Sequence, residues 1–517
     1  MTEEKSIASR AGVGGIAVLG AKIFFILSGL VQQALLPRFI GLAGYGALSR
    51  VLAAANVVNN VVVAGSTQSA SRAVAGAPGR EAVAQRAALR VHVPVAFLVG
   101  GAFAAAAVPI ARFEHAPYIT PALLAMSAVV FLYGLYAPLI GTLNGRGLFV
   151  RQAFLDVLFA TLRTCALLGV GWFFVRRGLS GTLGSTVGFA SAAFVILLVA
   201  LSLAGTGSPD RGGERDVLRG FRYLAVLMPL ALAQLFTNAL MQQDITLLGR
   251  FLSESAARTG LAPDAAAKSA DEWVAVYRAC QLFAFLPYQM LLSITQVLFP
   301  MLARAKTERD PEAVREYVGR GARLGAIAAG VMVAVIAGMP ESALRFAYDV
   351  NVAARGASTL RVLALGQGAF ALLGIGCAVL SSLGREVTSA VLTFAASLVA
   401  AGACAIVVPR EAFGGDQLHA TAYCMAAALA VALAVCAILV VREARAFVPW
   451  PTALRVLVAL AATVTLGSRI HATSRLFAPV VAVALAAVYA TVLLASREIG
   501  LADLRWIRGA LRGRGAG

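Results

Sequence analysis

The sequence predicts an all-α integral membrane protein of about 14 transmembrane helices. They fall into two six-helix lobes related by a pseudo-two-fold axis along the membrane normal, with two further helices at the C-terminal end. Three observations predict this. First, 60% of the 517 residues are hydrophobic and only 13% are charged, about half the charge of a soluble globular chain, and mean hydropathy is +0.82. Second, apolar blocks long enough to cross a bilayer, about 20 residues each, follow one another nearly end to end. Third, the chain reads as two copies of one unit.

The spans are read at residues 13–36, 43–65, 92–111, 119–140, 153–175, 182–204 and 223–248, then at 273–300, 321–339, 359–383, 387–408, 418–441, 451–467 and 476–496. The thirteenth is short, and Pro287 is expected to kink the eighth. The acidic start MTEEK precedes a span too long for a cleaved signal peptide. An even number of spans puts both ends on one side. With residues just inside a span end counted in the loop they adjoin, that side holds 27 Lys and Arg and the other 13. The excess marks it as cytoplasmic. The net charge of +19 is scattered through short loops in this bias, which argues against a nucleic-acid surface.

The repeat is carried by YGALSRVLAAANVVNNVVVAGSTQ from Tyr45 and WVAVYRACQLFAFLPYQMLLSITQ from Trp273. Aligned without a gap, Arg50 falls on Arg278 and Thr67-Gln68 on Thr295-Gln296. Before them, Gln32-Gln33 and Arg38-Phe39 have counterparts in Gln242-Gln243 and Arg250-Phe251. An offset of six spans keeps both copies in one orientation, which is the origin of the expected axis. The divisions are then an N-terminal lobe at 1–222, a C-terminal lobe at 223–441, two extra helices at 442–496 and a basic amphipathic cytoplasmic tail at 497–517. A second amphipathic stretch, residues 304–323, is expected to lie in the headgroup layer like the tail.

Signatures of catalysis are missing. There is no Walker A sequence, and the longest hydrophilic insert, residues 250–272, is too short to house a reaction. The six cysteines fall within spans at spacings that fit neither a metal nor a disulfide framework, and the four histidines are isolated from one another. We therefore expect no cofactor, no metal and no enzymatic activity. Arginine outnumbers lysine forty to four, which makes Lys22, inside the first span, conspicuous.

An arginine inside a membrane helix costs several kcal/mol, so it commonly faces a cavity and has a task. Lys22, Arg50 and Arg278 are the candidate cations, and a duplicated cation suggests a two-lobed carrier for something negatively charged. Arg163 also lies within a span, seven residues from Asp156 on one helical face, and is expected to pair with another helix. Asp244 and Asp156 are the intramembrane carboxylates. Either could take a proton or ligate sodium and so couple transport to a gradient. Asn56, Asn59 and Asn60 in the second span, with Gln234, Asn238, Gln242 and Gln243 in the seventh, either line a wet cavity or tie helices together.

The chain resembles the multidrug/oligosaccharidyl-lipid/polysaccharide exporters, and within them the polysaccharide (O-antigen type) flippases. The resemblance rests on the fourteen-span layout, on GLAGYGALSR at the second span and on WVAVYRACQLFAFLPYQMLLSITQVLFPMLAR at the eighth. It implies translocation of undecaprenyl-pyrophosphate-linked oligosaccharide across the bacterial inner membrane by alternating access. It further implies membrane lipids and the polysaccharide polymerase machinery as partners. The related lipid II flippases place cations of the first, second and eighth helices in a central cavity. Lys22, Arg50 and Arg278 match these by helix and approximate depth, which makes them the expected pyrophosphate-binding set. An acidic seventh-helix position linked to sodium in those relatives points to Asp244, so the coupling ion is H+ or Na+. A lipid II flippase and a multidrug antiporter are the alternatives. The second usually has twelve spans and an acidic cavity, against four cations and two carboxylates here. A polymerase or ligase would need a larger periplasmic loop.

Overall fold

The computed structural model describes residues 2–206, 220–289, 291, 302, 304–470, 477–498 and 500; side chains are described from residue 20 in the first helix and from 231, residue 233 aside, in the seventh. Among these residues it is helical throughout, without strands. The helices are α1 (Thr2–Ile40), α2 (Leu42–Ala75), α3 (Glu81–Phe113), α4 (Thr120–Gly145), α5 (Phe149–Arg176), α6 (Gly181–Ala204), α7 (Gly220–Ala257), α8 (Pro263–Ala284), α9 (Pro311–Gly338), α10 (Pro340–Ala347), α11 (Val350–Ser382), α12 (Glu386–Val407), α13 (Gly415–Ala444), α14 (Trp450–Gly467) and α15 (Ala478–Ala495).

Twelve described helices are long and apolar enough to cross a membrane, and they coincide with twelve of the fourteen expected spans. The other two expected spans, 223–248 and 273–300, fall on α7 and α8; parts of the second lie outside the described residues, as does nearly all of the tail at 497–517. α8 ends at Ala284, and a turn at Phe285 breaks the helix just before Pro287, whose ring lacks the N–H and crowds the carbonyl four residues back, at Phe283. Local chemistry sets other ends. Asp310 caps α9 by accepting from the Glu312 and Ala313 backbone N–H groups at 3.1 and 2.9 Å, with Pro311 in the first turn, where its missing N–H costs nothing. Residues 304–323 are therefore not one headgroup helix. The chain turns at Arg309, whose φ is 55°, and α9 begins beyond it.

The chain forms two compact units. The first comprises residues 1–278 with 408–417, and the second 279–407 with 418–517. The lobe boundary expected at 222–223 lies inside the first unit. In it α2 packs on α4 and α7, α1 on α5, and α5 and α3 on α6 and α4 respectively. Residues 408–417 are fastened there by Gln417, whose amide donates to Ser255 Oγ at 2.9 Å, and by Gly414, which sits against the Trp273 ring. In the second unit α9 packs on α11, α14 and α15 through a core of Ala334, Val456, Ala459, Tyr489 and Leu493. Large apolar side chains such as Phe97, Leu98, Phe194 and Leu198 point outward, as expected of faces solvated by lipid.

Candidate functional site

α2 begins at Leu42 and brings Arg50 about 12 Å along its axis. The arginine is 0% exposed. Its Nε stands 3.0 Å from Asp271 Oδ1 on α8, while its terminal nitrogens donate to Ser253 Oγ at 3.0 Å and to the Glu114 carbonyl at 3.4 Å. The Tyr118 hydroxyl donates to the second Asp271 oxygen at 2.6 Å. Glycines make this approach feasible. A Cβ on Gly46 would fall 1.8 Å from the Asp271 carbonyl oxygen, and one on Gly249 would fall 2.9 Å from Arg50 Nε. The Glu114 side chain is also fully buried, and neither carboxyl oxygen has a hydrogen-bond partner.

The electrostatics follow from this enclosure. Burial pushes the Glu114 carboxyl up to about 8, against the pull of the Arg50 charge and with the help of Asp271. Burial also raises Asp271, opposed by Arg50 and by the Tyr118 hydrogen bond. Two acids share one arginine in low dielectric, and the one without hydrogen bonds keeps its proton. Beside the cluster, Glu254 takes Arg250 and His115 at 3.0 Å each, and the Arg250 guanidinium lies 4.5 Å over the Phe113 ring.

The other expected residues lie elsewhere. Arg278 is half-buried, two turns beyond Asp271 on α8. Asp244 on α7 is buried and accepts from the Tyr277 hydroxyl at 2.9 Å. Lys22 is exposed on α1, and its charge acts on the half-buried Asp156 of α5. It lies about 27 Å from the Ile40 end of α1, so Lys22 and Arg50 differ in depth by roughly 15 Å. Asn60 donates to Asn238 at 2.8 Å, and Asn238 donates to the Gln234 carbonyl at 2.7 Å, which ties α2 to α7. Asn59 and Gln242 are buried with side-chain carbonyls that lack partners, and Asn56 is half-buried. The structure thus brings the Lys22 charge to bear on Asp156, joins Asn60 to Asn238, and gives Arg50 and Asp244 partners of their own. Asp271 and Glu114 were missed because both lie at the ends of the loops expected from the sequence; the available signal was that a buried arginine needs a counter-ion.

The model of the family described as polysaccharide biosynthesis protein matches residues 12–306, more than half of the chain. The chain belongs to that family. The MatE model matches residues 266–406. Among solved structures, the family member is similar to the lipid II flippase MurJ in an inward closed conformation, with a TM-score of 0.70 and 11% identity over 94% of this chain and 100% of that one. It is similar to an inward-facing multidrug resistance MATE transporter at 0.58 and 18%, covering 83% and 94%. A MOP-superfamily transporter from Pyrococcus furiosus, described by the reversed polarity of its binding pocket, aligns at 0.54 and 16%, covering 84% and 95%. No curated protein matches the sequence. At these identities the structures establish a shared transporter fold for this polysaccharide biosynthesis family member.

Proposed function

We propose that the protein flips undecaprenyl-pyrophosphate-linked oligosaccharide across the bacterial inner membrane, by alternating access, for surface polysaccharide synthesis. The observation that carries the reading is the charge placed inside the membrane helices of a chain from this family: Lys22, Arg50, Arg163 and Arg278 against Asp156 and Asp244. A pyrophosphate is the matching cargo, since it carries about two negative charges and suits the planar fork of arginine. In this reading both termini are cytoplasmic, the lipid tail stays in the bilayer, and the polymerase machinery receives the product. Lys22, Arg50 and Arg278 bind the headgroup at successive depths rather than together, and Arg50 does so in a conformation where Asp271 has released it. Asp244 or Asp156 couples the cycle to H+ or Na+.

The likeness to MurJ along nearly the whole chain favours a second reading, export of lipid II. Depletion of the protein in its host, followed by extraction of lipid-linked glycans, separates the two. A lipid-linked surface glycan that accumulates in viable cells supports the first. Lipid II accumulation with lysis supports the second, and an unchanged lipid pool removes both.

A further inference from the structure

Arg163 sits at the middle of α5, about 20 Å from either end, where a charge is farthest from water. Its surroundings are aromatic. The guanidinium carbon lies 4.6 Å from the centroid of the Phe25 ring and 5.9 Å from that of Phe159, and the Tyr133 hydroxyl is within its hydrogen-bonding reach. No described carboxylate pairs with it. Asp156, on its own helix, lies two turns away and responds to Lys22 instead. The Arg163 Nε is buried without a hydrogen-bond partner. Aromatic faces ease the burial of a cation, but they leave the charge without a counter-ion among the described residues and the Nε of the fork unused.

The neighbours show what surrounds that unpartnered edge. On α1 the residues Lys22, Phe25 and Gly29 share one face at spacings of three and four; on α5 Asp156, Phe159 and Arg163 repeat the same spacings. The two faces meet in register: Lys22 acts on Asp156, Phe25 lies against Arg163, and Gly29 lies beside its terminal nitrogen, to which a Cβ there would stand at 3.9 Å. Ser28 and Thr164 hydrogen-bond across the same seam at 2.8 Å. Lysine, aspartate and arginine on a lipid-facing surface would each be costly, so this seam borders the polar path through the membrane.

We infer that the α1–α5 seam of the first unit is an anion site, with Arg163 as its mid-membrane anchor and Lys22 as a shallower station, and that it takes a phosphoryl oxyanion. Resting on the flippase reading above, the ligand is the pyrophosphate of the lipid carrier. The two cations are about 10 Å apart along the helices, too far to grip one pyrophosphate together. The headgroup therefore meets them in succession. At Arg163 the oxyanion takes the unpartnered Nε edge and supplies the counter-charge that no described carboxylate provides.

The test uses the full-length protein in lipid nanodiscs, with a polyprenyl pyrophosphate, inorganic pyrophosphate and the uncharged polyprenol as separate probes. Arg163→Met should weaken polyprenyl pyrophosphate binding by roughly tenfold or more, as loss of a bidentate charge-assisted contact does, and leave polyprenol binding unchanged. Arg163→Lys keeps the charge without the fork and should fall between. If Arg163→Met does not fold, Gly29→Leu serves: it keeps the arginine, crowds its terminal nitrogen and should abolish the thermal shift produced by the pyrophosphate probes. Lipid binding that is indifferent to both Arg163→Lys and Gly29→Leu overturns the inference while leaving the flippase reading intact. Arg163-dependent binding of inorganic pyrophosphate, with the lipid ignored, supports the anion site and removes its assignment to the lipid carrier.

Discussion

Arg50 Nε and Asp271 Oδ1 stand 3.0 Å apart with their side chains 0% and 5% exposed. The pair joins a membrane helix, α2, to the third turn of α8, and Tyr118 and Ser253 complete its hydrogen bonds. Arg50 is therefore neutralised from within the protein in this conformation. Under the proposed function, an anionic cargo recruits Arg50 only by displacing Asp271.

Removing one partner of a buried pair leaves the other charge stranded, at a cost of about 3–5 kcal/mol. Arg50→Met and Asp271→Leu should each lower the thermal stability of the purified protein sharply. The double variant should be more stable than either single one, because apolar replacements of similar volume leave nothing uncompensated. Additive losses in thermal unfolding would show that the two residues act independently.

Glu114 gives the same cluster a pH dependence. Its carboxyl is raised by burial from 4.5 to about 8, so between those values the folded protein binds a proton that the unfolded chain has lost. Stability then falls as pH rises from about 4.5 to 8, by an amount on the order of a few kcal/mol. Glu114→Gln should flatten that decline and be the more stable form above pH 8. Melting curves from pH 5 to 9 decide it: identical slopes for the two proteins would exclude Glu114 as their source.

The spans were legible because each is a long apolar run and the bilayer permits little besides helices. Arg50 was legible for the complementary reason, a charge where charges are expensive. Its partners were not, since Asp271 and Glu114 stand at the edges of the polar loops expected from the sequence, and only the packing of α2 against the following elements shows that those loop ends are buried. Arg163 illustrates the same limit. Its spacing to Asp156 placed both on one face of α5, but nothing in one helix reveals that α1 meets that face with Phe25 and Lys22. The amphipathic pattern of residues 304–323 misled because periodicity outweighed the Asp310-Pro311 pair, which is a helix start by its own chemistry.

Gly46 tests the closeness of α2 to α8. A Cβ at this position would meet the Asp271 carbonyl oxygen at 1.8 Å and its carbon at 2.6 Å, contacts that only a backbone shift can relieve. Gly46→Ala should pull Asp271 off Arg50 and lose about as much stability as Asp271→Leu. Gly20→Ala, where nothing lies within 4 Å, should be nearly neutral. Comparable melting temperatures for the two variants would contradict the packing described.

Glu498, just past α15, closes the second unit. Although only 2% exposed, it takes Arg323 of α9 and Arg455 of α14 at 2.7 Å each, and the Thr452 hydroxyl at 2.7 Å; Arg323 also donates to its backbone carbonyl. Burial pushes its carboxyl up, but the hydrogen bonds from Arg323, Thr452 and Arg455 outweigh that and hold it below the usual carboxylate range. A carboxylate lowered in the folded state stabilises above its unfolded value of about 4.5, and the contribution disappears as pH falls through the folded one. The arginines are partly exposed, which screens the charges, so Glu498→Gln should cost about 1–2 kcal/mol at neutral pH. The difference should vanish in acid. Limited proteolysis offers a local readout, with cleavage between α14 and α15 accelerated in the variant at pH 7 but not at pH 3. Equal cleavage at pH 7 would mean that the apolar contact of Tyr489 and Leu493 with Ala334 is enough to hold the last two helices in place.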